Sequence, residues 1–402
     1  MDSLSKGRDY IATPGPSIFP DRVIGAMQKP APNIYGEEIE LKSSEIQKNL
    51  CEFAQCSGHV AIYTSNGHGL WEASLTNLFN YNDKLLVITN GRFGKTWGKI
   101  ADQMGFQTSK IDFGLNHDAQ PQKIIEILAQ DIQNEIKGVI IVHVDTSTSI
   151  KNNIKEIIET IKRLGHPAMI LVDCIASFLC DKVLMDDWKI DVMLATSQKG
   201  LMTPPGLGYI FVNKRAREQS RKIQKRSPYW DWEPRIVANE FYERFFGTPP
   251  THLVYAQHEA LKIIKEEGCD SIYSRHQTLA KMVWSAVEHW GKGGNIQLNV
   301  ANQSIRSNAV STIVAKNTDL SNLRYWLEKK AGLTLGLGIG FDSEKQYLFG
   351  KSVFRIGHMG YLNPQMILGV IATIETGLKV CNIPHAPGSV SKAADTLKNS
   401  EP

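Results

Sequence analysis

The sequence predicts an α/β fold: a large domain with a mainly parallel sheet sandwiched by helices, plus a smaller C-terminal α+β domain. Three observations carry this. Short apolar runs recur up to residue 212 and are nearly continuous, without polar alternation. Strands covered on both faces read this way. Amphipathic helical patterns fall between the runs, the order expected of βα units. Beyond about residue 250 the strands shorten and helices dominate, which marks a second unit.

In chain order, the strands of the large domain are expected at His59 to Thr64, Lys84 to Thr89, Gly138 to Val144, Ala168 to Ile175, Ile190 to Thr196 and Gly208 to Val212. Trp71, Leu75, Leu78 and Phe79 share one face of a helix that opens at Leu70. Phe93, Trp97, Ile100, Ala101 and Met104 do the same in the next helix. A long helix is expected from Leu253 to Glu267, then shorter strands such as Val310 to Val314 and Ser352 to Ile356. The chain divides into an N-terminal arm (1–25), a large domain (26–252), a small domain (253–384) and a tail (385–402). The tail is rich in Ser, Ala, Lys and Pro and is expected to be loose and flexible. Gly336-Leu-Gly-Ile-Gly340 has the look of a dinucleotide fingerprint without the strand–helix context, and reads as a flexible loop near a site mouth.

Composition narrows the classes of function. At 402 residues the chain can bury one large core and a smaller one. Its 45 basic and 41 acidic residues are well mixed and leave a net charge of +4, with no nucleic-acid stripe and no polybasic membrane patch. No stretch reaches the roughly 18 apolar residues of a membrane span. The first ten residues lack the apolar core of a signal peptide, and Asn399-Ser-Glu-Pro402 is not a peroxisomal address. Six cysteines without zinc-type pairs point to reduced thiols, a cytoplasmic location and no metal centre.

The chemistry centres on Lys199, in Ala195-Thr-Ser-Gln-Lys199-Gly-Leu-Met-Thr-Pro-Pro-Gly206. A strand runs into a polar stop, one lysine and a Pro-Pro-Gly turn. Asp173 lies 26 residues upstream at the end of another apolar run. A lysine and an aspartate at the carboxyl ends of two nearby strands suit pyridoxal 5'-phosphate. The lysine forms a Schiff base and the carboxylate keeps the pyridine nitrogen protonated. A capping role is the plainer alternative for Asp173, but an acid ending an Ile-Leu-Val run is costly to bury without a cation. Ser65-Asn-Gly-His-Gly69 follows the first strand and reads either as a phosphate cradle at a helix N-terminus or as a plain turn. Phe93 could stack on a flat heterocycle or simply pack in the core. His143-Val-Asp-Thr-Ser147-Thr-Ser149 offers hydroxyls to a ligand or caps a helix. Arg355 stands inside an apolar strand, where it needs an anion: a substrate carboxylate or a structural ion pair.

Several motifs occur together: Thr13-Pro-Gly-Pro-Ser17, Ser65-Asn-Gly-His68, the spacing from Asp173 to Lys199, Ser197-Gln-Lys199 with Pro204-Pro-Gly206, Gly247-Thr-Pro-Pro250, and Phe354-Arg-Ile-Gly-His-Met-Gly360. In this order, from about residue 11 to residue 384, the chain resembles the class V aminotransferases, nearest the alanine/serine–glyoxylate aminotransferases. The resemblance implies fold type I and a homodimer with active sites at the dimer interface. It makes Lys199 the Schiff-base lysine and Asp173 the partner of the pyridine nitrogen. Asn66, Gly67 and His68 match the phosphate loop, Phe93 the residue stacked on the ring, and Ile175 the residue beneath it. Ser147 and Gln198 match cofactor contacts. Thr248 matches a threonine that reaches the neighbouring subunit's phosphate, and Arg355 the arginine that grips the substrate carboxylate. Two positions depart from the pattern: Phe245 stands where a tyrosine is frequent, and Ser149 where the loop usually has glycine.

The implied reaction moves an amino group from a small amino acid, serine or alanine, to glyoxylate or pyruvate. Aspartate, ureidoglycine, aminoethylphosphonate or pyridoxamine are alternative donors within the same family. A lyase of the cysteine desulfurase type would need a mobile cysteine near the substrate arginine, and residues 336–350 contain none. A homologue without cofactor is disfavoured by the intact pair of Lys199 and Asp173.

Overall fold

The computed structural model describes residues 4–224 and 227–398. It opens with β1 (Tyr10–Ala12), α1 (Asp21–Met27) and α2 (Glu37–Ala54). Alternation then begins with β2 (His59–Ser65), α3 (Gly67–Leu78), β3 (Lys84–Thr89), α4 (Arg92–Gln103), β4 (Gln107–Asp112), α5 (Pro121–Gln130) and β5 (Ile136–Val142). A short pair, β6 (Val144–Asp145) and β7 (Ile150–Lys151), precedes α6 (Ile154–Leu164) and β8 (Met169–Asp173). Next come β9 (Val192–Thr196), β10 (Gly206–Val212), α7 (Lys214–Ser220) and α8 (Glu233–Ile236). The remainder runs α9 (Thr251–Glu267), α10 (Cys269–Trp290), β11 (Ile296–Leu298), β12 (Val310–Ala315), α11 (Ser321–Ala331), β13 (Leu333–Leu337), β14 (Val353–Gly357), α12 (Pro364–Val380) and α13 (Ser389–Lys398).

The large sheet has the order β2-β10-β9-β8-β5-β3-β4. Its pairings are parallel except those of β10, which runs antiparallel to both neighbours. The near-continuous apolar runs have a direct cause. In β3, Leu86 and Ile88 enter one core while Leu85 and Val87 enter the other. In β8, Ile170 and Val172 face the first core and Leu171 the second. One layer is closed by α2, α5, α6 and α9 through Ile46, Ile124, Ile157 and Leu261; the other by α3 and α4 through Trp71, Leu75 and Trp97. The parallel strands end together, so Asp173 and the residues after Ser65, Val142 and Thr196 collect at one edge. β4 is the strand that the apolar pattern does not announce. It is an edge strand, polar and largely exposed, with Lys110 tied to Asp102. Charged, exposed edges of this kind resist pairing with other chains.

The second sheet has the order β1-β13-β14-β12-β11 and a core that includes Leu279, Val283, Ile313, Phe354 and Ile371.

Several expectations need correction. Residue 253 is not a boundary between cores: α9 buries Val254, Leu261 and Ile264 in the core of the large sheet, because its apolar face meets α1 and α2. The N-terminal arm carries β1, which pairs in parallel with β13 of the second sheet. Residues 385–402 are not a loose tail throughout. α13 packs on α10 and α12 with Ala393 buried, and Glu375 accepts hydrogen bonds from the N–H groups of Gly388 (2.9 Å) and Ser389 (2.8 Å) at its N-terminus. Residues 1–3 and 399–402 lie outside the described residues. Gly336 is not in a loop but in β13, paired with Arg355, where a Cβ would come within 2.7 Å of Pro14.

Candidate active site

Lys199 is presented by a turn that the sequence locks at several points. β9 ends at Thr196, after which Thr203 N–H donates to Ser197 O at 3.0 Å and Met202 N–H to Lys199 O at 3.1 Å. The Ser197 hydroxyl donates to Pro204 O at 2.6 Å. From the opposite side, Ser17 Oγ donates to Lys199 O at 2.8 Å and Ser17 N–H to Gln198 O at 2.9 Å. Lys199 Nζ itself donates to Pro14 O. Gly15 (φ +100°) lies against the lysine, and a Cβ there would come within 2.7 Å of Lys199 Cδ. The Thr13-Pro-Gly-Pro-Ser17 motif is therefore the clamp on the lysine, a role that spacing alone does not reveal.

A cavity of about 180 Å³ opens beside this turn. Asn66, Gly67, His68, Phe93, Asp173, Ile175, Gln198 and Lys199 line it, eight of the positions expected at the site. Gly67 lies against Ile175, and a Cβ there would come within 2.6 Å of Ile175 Cδ1, so a larger residue would push that side chain aside. Asn66 caps α3: its Oδ1 accepts from the N–H groups of His68 (3.1 Å) and Gly69 (3.4 Å). The His68 ring meets Trp71 at 4.5 Å and 60°.

Trp71 organises the floor of the site, although its position reads in the sequence as an ordinary core face. Its indole N–H donates to Asp173 Oδ2 at 2.8 Å, and its ring stacks on Trp97 at 5.9 Å and 13°. Phe93 meets Trp71 edge-on at 6.4 Å. Ile175 N–H donates to Asp173 Oδ1 at 2.7 Å. Even so, burial dominates and pushes the Asp173 carboxyl up to about 6. Burial also lowers Lys199 to about 8, helped by the Arg355 charge and partly offset by Asp173. An amine driven towards neutrality thus sits near a buried acid that lacks a full cationic partner. Titratable groups displaced in this way collect at functional sites.

Three expected residues do not line the cavity. Ser147 is fully buried behind it. Its hydroxyl donates to Asp145 Oδ1 at 2.5 Å and accepts from Arg92 N–H at 2.9 Å. Asp145, not singled out from the sequence, is the hub of that wall: its Oδ2 accepts from Phe93 N–H (2.9 Å) and Gly94 N–H (3.2 Å) and so caps α4. Thr248 is exposed on the surface, just after a turn whose Phe245 is buried in the core. Arg355 lies beyond the wall on β14. Its Nε donates to Leu337 O at 2.7 Å and its Nη1 to Thr146 O at 3.0 Å. Burial first, and the Arg92 charge in addition, lower it to about 10 against the attraction of Asp145. Ser149 adopts φ +63°, a left-handed geometry that favours glycine. Its hydroxyl accepts from Thr312 N–H at 3.2 Å and ties the loop to the second sheet.

These residues fit pyridoxal 5'-phosphate. Asp173 is a buried acid suited to a pyridinium proton, and Lys199 is an amine that burial makes nucleophilic. Gly67 leaves the start of α3 open to close approach, and the side-chain oxygen of Gln198 is buried without a hydrogen-bond partner. Among the described residues no group of His, Cys, Asp and Glu could hold a metal ion.

Comparisons with known proteins agree. The family described as Aminotransferase class-V matches residues 10–339. The chain is 32% identical to a serine–glyoxylate aminotransferase of Methylorubrum extorquens, covering 98% of this chain and 97% of that protein. It is 30% identical to a serine–glyoxylate aminotransferase of Arabidopsis thaliana, covering 97% and 95%. Its fold is shared with the crystal structure of ureidoglycine–glyoxylate aminotransferase from Bacillus subtilis, at a TM-score of 0.87, 24% identity and coverage of 99% and 100%. The architecture is fold type I. The chain belongs to the class-V aminotransferase family, and its cofactor is pyridoxal 5'-phosphate.

Proposed function

We propose that this aminotransferase takes its amino group from serine or alanine and passes it to glyoxylate, with pyruvate as a second acceptor. One observation carries the choice of a small neutral donor. Lys199 is the one Lys or Arg lining the cavity, and Arg355 lies just beyond its wall, close enough to lower the Lys199 pKa. One arginine serves an α-carboxylate; among the described residues a second anionic group has no further cation lining the cavity. The serine–glyoxylate activity named for the relatives supports the same reading.

When bound, pyridoxal phosphate supplies the carbonyl that accepts the amino group and the electron-poor ring that stabilises charge at the substrate Cα. Asp173 holds a proton at the pyridine nitrogen. Lys199 Nζ takes the proton from the substrate Cα and returns it as general base and acid, a role suited to an amine near 8. Asn66, Gly67 and His68 present the start of α3 to the phosphate. Trp71, Phe93 and Ile175 wall the ring off from water. Arg355 orients the substrate carboxylate through its guanidinium fork.

The resemblance further supports a homodimer in which Thr248 of one subunit completes the neighbour's site, and a cytoplasmic location. The two sheets are proposed as the large and small domains, with the break after α9. Among the described residues no helix is long and apolar enough to cross a membrane. The test is a half-reaction screen: each candidate donor is mixed with the yellow holoenzyme and loss of the visible cofactor band is timed. Serine and alanine should bleach it fastest and glyoxylate should restore it. Faster bleaching by an amine without a carboxylate would overturn the donor assignment.

A further inference from the structure

Arg92 is the first residue of α4 and immediately precedes Phe93, which lines the cavity. Its charge is felt inside the site. The His68 imidazole lies below its ordinary value through burial and then through Arg92, and Arg92 also helps to lower Arg355. Arg92 is not free, however. Its Nη1 pairs with Asp342 Oδ2 at 3.2 Å, with the two side chains 50% and 63% exposed. Asp342 lies in the loop after β13 and also accepts from Gly340 N–H at 3.2 Å. Gly340 presses on the same place, since a Cβ there would come within 3.0 Å of both Arg92 Cβ and Ser147 Oγ. The ion pair therefore joins the first turn of α4 to the 338–342 loop of the second sheet. Two further cations are engaged elsewhere: Arg22 with Glu259 and Glu266, and Lys151 with Asp181.

We propose that Asp342 sets donor specificity by holding Arg92, so that donors with a neutral side chain are taken in preference to donors carrying a second carboxylate. This rests on the reading of a small neutral donor given above. A free arginine at that point would offer a side-chain carboxylate a bidentate, charge-assisted partner. Asp342 occupies that arginine and places beside it a charge like that of a second carboxylate. Discrimination thus comes from a repulsive element as well as a withheld attractive one. The pair is exposed and solvent-screened, so a moderate effect is expected.

The test is kcat/KM for aspartate relative to serine, with glyoxylate as acceptor, in the holoenzyme. Asp342→Asn should raise this ratio about threefold to fivefold, and the gain should shrink as salt is added. Arg92→Gln in the Asp342→Asn background should bring the ratio back towards its original value. A ratio unmoved by Asp342→Asn, in an enzyme that prefers serine, overturns this inference and leaves the donor reading standing. A double variant that keeps the raised ratio also overturns it, because Arg92 is then not the receptor. A wild-type enzyme that prefers aspartate overturns the donor reading and this inference together.

Discussion

Burial sets the chemistry of both ionisable residues at the heart of the site, and their pKa shifts have opposite consequences for stability. Asp173 is raised from 3.8 to about 6, so in the cofactor-free protein its contribution is fully present below about 3.8 and lost as pH rises through about 6. A shift of that size corresponds to roughly 3 kcal/mol at most. Asp173→Asn should therefore make the cofactor-free protein more stable than wild type above pH 6 in urea titrations, while turnover falls by orders of magnitude. Unchanged kinetics in that variant would reduce Asp173 to a structural cap. Lys199 is lowered from 10.5 to about 8, so its contribution is fully present above about 10.5 and lost as pH falls through about 8. Only the neutral amine attacks a carbonyl. The rate at which cofactor-free protein captures pyridoxal phosphate should rise with pH and level off above about 8. Lys199→Ala should retain no covalently held cofactor after borohydride reduction and show no turnover. A midpoint near 10 in the capture rate would mean that the site does not depress this lysine.

Elements place these residues through their ends, where backbone groups need partners. The starts of α3 and α4 are served by the side chains of Asn66 and Asp145, and the start of α13 by Glu375. Burial alone would raise the Glu375 carboxyl. The Ser389 hydroxyl and the N–H groups of Gly388 and Ser389 outweigh it and bring the carboxyl down to about 2. That stabilisation is present above about 4.5 and is lost as pH falls through about 2. Glu375→Ala strands these donors, and buried charge-assisted bonds of this kind contribute about 1.5–3 kcal/mol. The expected result is faster amide exchange confined to α13 and the end of α10 that it covers. Exchange that stays at wild-type rates would show that apolar packing through Ala393 is enough to hold the helix.

At the scale of the whole molecule, a single chain encloses the lysine, the acid and the aromatic walls, yet Thr248 stands exposed away from them. Its neighbours Tyr242 and Phe246 are also large and exposed, at 60% and 49%. A second subunit covering this surface would bring Thr248 to the neighbour's site. Mixtures of Lys199→Ala and Thr248→Ala chains should then recover part of the activity, because half of each hybrid's sites combine two intact contributions. No recovery despite proven subunit exchange, or a fully active monomer in sedimentation, would contradict the shared site.

The sequence by itself determined the fold class and pointed to the lysine and the acid that line the cavity. Strands buried on both faces must be apolar throughout, and that pattern marked the interior of the large sheet. One edge, β4, stayed silent because an exposed strand carries no such constraint, whereas the buried edge β2 was apolar and legible. Lys199 and Asp173 were legible because a charged residue ending an apolar run needs a chemical reason. The tertiary structure alone decided what depends on distant segments meeting. Pro14 and Ser17 reach Lys199 across more than 180 residues, and Trp71 meets Asp173 across 102. Asp145 turned out to cap a helix that precedes it in the chain. Arg92 met Asp342 only because the two sheets close on each other, a contact that no local pattern in either segment encodes.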